Sequence, residues 1–158
     1  MQALYAAALG ALLITGFAST GLAESDAVSW KKIIGIAQAG NMVFDITGGG
    51  QPWSTLGGEA RVNLRTGKVE FEVRGLVLAG GNNIGTPGTI TQVKGTIACG
   101  AGPLNQRDTP LVPLSAQGEA EFDGNFNNLP ATCTESNIVF LIRIAADRWI
   151  ANGTVRSP

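Results

Sequence analysis

Between residues 59 and 74 the chain alternates strictly. Ala60, Val62 and Leu64 are interleaved with Glu59, Arg61 and Asn63; after Arg65-Thr66-Gly67-Lys68, Val69, Phe71 and Val73 are interleaved with Glu70, Glu72 and Arg74. Successive side chains of a strand point to opposite faces, so two such runs around a glycine predict an antiparallel hairpin with one buried face. Taking Thr66-Gly67 as a two-residue turn sets Leu64 opposite Val69, Val62 opposite Phe71 and Ala60 opposite Val73. On the other face Arg61 then meets Glu72, and Glu59 meets Arg74. One register thus joins apolar with apolar and acid with base. Thr-Gly is a weaker turn signal than Asn-Gly, which leaves a longer bulged loop at the same place as the competing geometry.

The rest of the chain repeats this construction at shorter range. Its 22 glycines and seven prolines punctuate apolar runs densely, which suits strands and turns rather than long helices. Residues 32–39 and 42–46 flank Gly40-Asn41, as a second hairpin or one bent strand. Residues 89–99 alternate, and 117–122 place Ala120 and Phe122 inward. Asp123-Gly124-Asn125 reads as a turn rather than a cation-binding loop. Residues 137–145 are apolar on both sides, as in a strand covered on both faces. A turn at Ala146-Asp147 leads to a final strand over 148–156, headed by Trp149. The expected fold is all-β: an antiparallel β-sandwich, Greek-key-like, or a partly closed barrel, as one domain over residues 24–158.

Residues 1–23 are a separate object. They carry no charged side chain, residues 3–17 are almost wholly apolar, and Gly21 and Ala23 stand three and one places before Glu24. This is the pattern of a signal peptide, in helical form, cut after Ala23. The competing reading is an uncleaved anchor, for which an apolar run of ~15 residues falls short of the ~20 needed to span. The expectation is therefore an exported protein, secreted or periplasmic, with no stable membrane span after cleavage. In an oxidising compartment its two cysteines, Cys99 and Cys133, have one way to pair. Closing that loop stabilises the fold by about 3–4 kcal/mol.

The run from Gly57 to Leu76, Gly-Gly-Glu-Ala-Arg-Val-Asn-Leu-Arg-Thr-Gly-Lys-Val-Glu-Phe-Glu-Val-Arg-Gly-Leu, resembles the opening hairpin of CHRD domains. These are secreted β domains named after chordin and also found in bacteria. The histidine-bearing segment that follows this hairpin in the family has no counterpart, because this chain has no histidine. No site residue is carried over from the resemblance.

The lack of histidine also removes Ser-His-Asp and Cys-His catalysis and the commonest transition-metal ligand. No phosphate-binding loop, dinucleotide fingerprint or EF-hand loop occurs, so neither a cofactor nor a metal is expected. Eleven basic and twelve acidic residues nearly cancel, which disfavours nucleic-acid binding. Carboxylates remain: Glu70 with Glu72, and Glu119 with Glu121, share strand faces, and paired carboxylates are what glycoside hydrolysis needs. Two long glycine-rich loops, 47–58 and 78–88, carry Gln51, Trp53, Asn82 and Asn83. These four form the candidate binding surface, with Trp53 either presented to a ligand or folded onto the core. Trp30 is expected at a sheet edge and Trp149 in the core. Asn152-Gly153-Thr154 matches the N-glycosylation sequon. The sequence points to a non-catalytic binding, adhesive or structural module for a cell-surface or extracellular protein or glycan. The alternative is a carboxylate-dependent enzyme acting on polysaccharide, and self-assembly through exposed strand edges is a third class.

Overall fold

The computed structural model describes residues 26–157; the predicted signal peptide, 1–23, lies outside the described residues. The elements are β1 (Ala27–Gly35), β2 (Met42–Val43), β3 (Ile46–Thr47), β4 (Trp53–Ser54), β5 (Gly57–Asn63), β6 (Lys68–Arg74), β7 (Val77–Leu78) and β8 (Gln92–Ala98). A 3-10 turn (Pro103–Asn105) precedes β9 (Gln106–Asp108), β10 (Val112–Pro113), β11 (Ala120–Asn125), β12 (Val139–Ile144) and β13 (Trp149–Ser157). Nine strands form one antiparallel sheet in the order β10-β8-β12-β13-β1-β5-β6-β11, with β9 also beside β8. Its two end strands are neighbours in the chain. A turn closed by Ser115 N–H donating to Glu119 O at 2.9 Å carries β10 into β11. The sheet therefore curls into a partly closed barrel, as the density of short strands and turns predicts.

The hairpin of β5 and β6 forms with its predicted faces and a different register. Val62 pairs with Val69, Ala60 with Phe71 and Gly58 with Val73, a shift of two residues from the two-residue-turn geometry. The cause is Asn63. Its Oδ1 accepts the N–H groups of Arg65 (3.0 Å) and Thr66 (2.8 Å), and its carbonyl accepts Gly67 N–H at 2.9 Å. This side-chain-capped turn spans residues 64–67, with Gly67 at φ +77°, where glycine is favoured. Strand faces repeat every two residues, so the shift leaves Ala60, Val62, Val69, Phe71 and Val73 buried and changes only the charges across the strands. Arg61 now faces Glu70, and Glu59 faces Glu72.

Four other expectations are corrected. The first strand covers Ala27–Gly35 rather than 32–39 and lies between β13 and β5 in the middle of the strand order. Trp30 is accordingly a core residue, 2% exposed, not an edge residue. Its ring lies 5.7 Å from Phe140, which lies 5.5 Å from Phe71. Gly95 makes room there, since a Cβ on it would stand 2.8 Å from Phe71 Cε1. Residues 42–46 form no hairpin with β1; β2 pairs with β3 around Phe44-Asp45. Asp123-Gly124-Asn125 is the end of β11, not a turn, and the ring of Phe122 lies where a Gly124 side chain would be.

The two sides of the sheet's β8–β12–β13 region are both covered. Phe140 and Ile142 face the core with Ile97, while Leu141, Thr96 and Arg143, on the opposite face, are also buried. The segment after β1 lies against β13: Ile36 N–H donates to Ile150 O, Gly49 N–H to Trp149 O, and Trp149 Nε1 to Asn41 O at 3.0 Å. Trp149 is buried as expected. The apolar-on-both-sides reading of residues 137–145 holds for the same reason. Cys99 at the end of β8 is bonded to Cys133.

Candidate functional site

The two glycine-rich loops meet. Trp53 pairs with Leu78 through β4 and β7, and Ala79 N–H donates to Pro52 O at 2.9 Å. The second loop is closed on Leu78, whose N–H donates to Thr86 O while its carbonyl accepts Gly85 N–H, both at 2.9 Å. The first loop is fixed at its start by the Gly49–Trp149 bond and at Trp53 by donation to Ile36 O at 2.8 Å. Between them lies a pocket of about 290 Å³. Its apolar wall comes from Trp53, Leu78, Ile90, Ile144 and Ile150. Its polar side chains include Gln51, Asn83 and Arg148. Gly88 keeps it open beside Leu78: at φ +63° a Cβ there would come within 3.1 Å of Leu78 Cδ1.

Three of the four residues read from the sequence as a binding surface therefore line one pocket. Trp53 is 6% exposed, so its indole belongs to the core and only its margin reaches the pocket. Asn82 is exposed next to Asn83 and does not line it. Arg148 is the residue that sequence reading missed. It stands one place before Trp149 and reads as the first residue of the last strand; only the tertiary approach of residues 48–50 gives it a role. Its Nη1 donates to Gly48 O at 3.1 Å.

A second depression, of about 360 Å³, lies on the polar face of β1, β5 and β6. Glu59, Glu70, Glu72 and Asp123 line it together with Lys31 and Arg61. The Glu70 and Glu72 pair is thus joined by two further carboxylates from neighbouring strands. Several are engaged by cations: Lys68 bridges Asp123 and Glu70 (3.3 Å to the latter), and Arg74 lies 3.9 Å from Glu72. Lys68 is held above its ordinary value first by its hydrogen bond to Asp123. Glu121 pairs with Glu72 across β11 and β6, and Glu119 precedes β11.

A third cluster was invisible in the sequence. Lys94 Nζ reaches Asp108 and Asp147, each at 2.6 Å. Arg143 Nη1 reaches the other oxygen of Asp108 at 3.2 Å and donates through Nε and Nη2 to Asp147 O at 3.0 and 2.8 Å. Thr96 Oγ1 donates to Asp108 at 2.7 Å. Burial works to lower the Lys94 pKa, but its bonds to the two aspartates outweigh that and raise it. The same bond from Lys94 holds the Asp147 carboxyl below the usual carboxylate range. Each charge has an opposite partner, the condition for burying it.

Among the described residues no group of histidine, cysteine or acidic side chains is placed to hold a metal ion. No helix among them is long and apolar enough to cross a membrane. Asn152 of the sequon lies within β13, paired on both sides with Leu141 and Ile34. No protein-family model, no curated protein and no solved structure matches the chain.

Proposed function

We propose that this chain is an exported, non-catalytic binding module whose ligand, or a terminal group of it, enters the pocket between the two glycine-rich loops. The observation that carries this is the convergence of Gln51, Trp53 and Asn83 on one pocket with an apolar wall, the combination of apolar surface and few polar groups that typifies ligand sites. Export is supported by the apolar segment 3–17 ahead of Gly21 and Ala23 and by the disulfide, which oxidising compartments favour. The likeness of residues 57–76 to secreted CHRD domains supports the same compartment. Protein-observed NMR with a library of small fragments tests the reading. Shift changes confined to Gln51, Asn83, Ile144 and their neighbours are expected, and a library that leaves those signals still while moving others overturns it. Gln51→Ala and Asn83→Ala are the better variants, because both residues are exposed, whereas Trp53→Ala would open the core.

The four carboxylates around the second depression favour one further reading, an enzyme acting on polysaccharide. For it to stand, hydrolysis of a polysaccharide must be detected in the wild type and lost in Glu70→Gln or Glu72→Gln with the fold intact.

A further inference from the structure

Arg148 is the one ionisable side chain among those that line the loop pocket. It differs from its neighbour in the fold, Arg143, whose guanidinium lies within 4 Å of both Asp108 and Asp147. Asp147, adjacent in the chain, is committed to Lys94 and Arg143. Among the described residues Arg148 has no carboxylate partner, and its one protein acceptor is Gly48 O. A guanidinium has five N–H donors in a fixed fork, so this single bond orients the group and leaves most of its donors to solvent or a ligand. The amide side chains of Gln51 and Asn83 likewise bond no other described residue. The pocket's lining thus holds one positive charge, two amides and a wall of Trp53, Leu78, Ile90, Ile144 and Ile150 but no acidic group; Asp45 and Asp147 line the separate depression that Arg148 also borders.

Resting on the pocket reading above, we infer that the ligand is a small carboxylate with an apolar body, its head on Arg148 and its body against Ile144, Ile150 and Leu78. A pocket of about 290 Å³ is near the lower end for ligand sites, about 300 Å³. At ~30 Å³ for each water-sized group it takes a body of about ten non-hydrogen atoms. Arginine suits the head because it pairs carboxylates bidentately and keeps its charge at every physiological pH.

The test compares 3-phenylpropanoate and hexanoate with their neutral amides by protein-observed NMR titration at low salt. The acids are expected to move the signals of Asn83, Ile144 and Ile150 and to bind about tenfold more tightly than the amides. Added salt should weaken the acids alone. Arg148→Gln, whose unchanged thermal midpoint verifies its fold, should erase the preference for the acids. Equal binding of acid and amide, or a preference that survives Arg148→Gln, overturns the inference and leaves the pocket as a neutral site. Absence of any shift at the pocket with all four probes at about 10 mM overturns both this inference and the pocket reading.

Discussion

The β5–β6–β11 part of the sheet and the β8–β12–β13 part are made from similar residues and use their charges differently. In the first, one face packs on the core and the other meets water, so Glu59, Arg61, Glu70 and Glu72 lie on a solvated surface. In the second, both faces are covered, and Lys94, Arg143 and Asp108 are drawn into one bonded cluster. Charges of the same type thus sit on a wet face in one half and within the packed structure in the other. The difference comes from what the described residues lay over the sheet: none of them covers the hairpin's polar face, while the segment after β1 lies against β13.

Variants sharpen this contrast in order of expected size. Replacing Cys99 and Cys133 by alanine removes a link anchored at the end of β8. It should cost about 3–4 kcal/mol in urea unfolding; a loss below about 1 kcal/mol would show that the covered half does not depend on it. Arg143→Met leaves Asp108 with Lys94 and Thr96 but removes its second cation and the two bonds to Asp147 O. It should cost about 2 kcal/mol, the scale of hydrogen bonds to charged groups. Arg61→Met on the solvated face should stay within about 0.5 kcal/mol. Equal costs for the two arginine variants would abolish the contrast.

pH should separate the halves next. Asp147 is depressed when folded, so its contribution is present above its unfolded value near pH 4 and is lost as pH falls through the folded value. Lys94 is raised, so its contribution is present below about pH 10.5 and is lost as pH rises through the folded value. Stability of the wild type is expected to fall at both ends, and Lys94→Met should flatten both declines relative to its own maximum. Identical profiles for the two proteins would count against the cluster. A local effect is expected at the hairpin loop, where Asn63→Ala removes the side-chain cap of the turn. That change should cost about 1 kcal/mol, and backbone amide exchange should rise at Arg65 and Thr66 in particular.

Legibility in the sequence follows the same divide. The hairpin's faces were readable because period-two alternation depends on nothing beyond the strand itself. Its register was not, because Asn63 looks like any outward-facing polar residue until its side chain caps the turn. The covered strand over residues 137–145 was readable from the apolar run Ile138-Val139-Phe140-Leu141-Ile142. The ion cluster of Lys94 and Arg143 was not readable, since Asp108 approaches Lys94 only when β9 pairs with β8. At the candidate site, Gln51, Trp53 and Asn83 were found through the oddity of polar and aromatic residues in glycine-rich loops. Arg148 was not, because the pocket that surrounds it is created by two loops distant from it in the chain.

The central position of β1 also governs when the sheet can form. Its partner on one side is β13, and Thr154 bonds Lys32 across a separation of 122 residues. While the chain is still being made, β1 and β12 each wait with an unpaired edge for residues 149–157. Pairings of such long range must bear their loop-closure entropy before any contact compensates it, which places folding in the slow, millisecond-to-second class of β domains. The last strand acts as a zip fastener, and a chain stopped short of it keeps two open edges in the middle of its sheet.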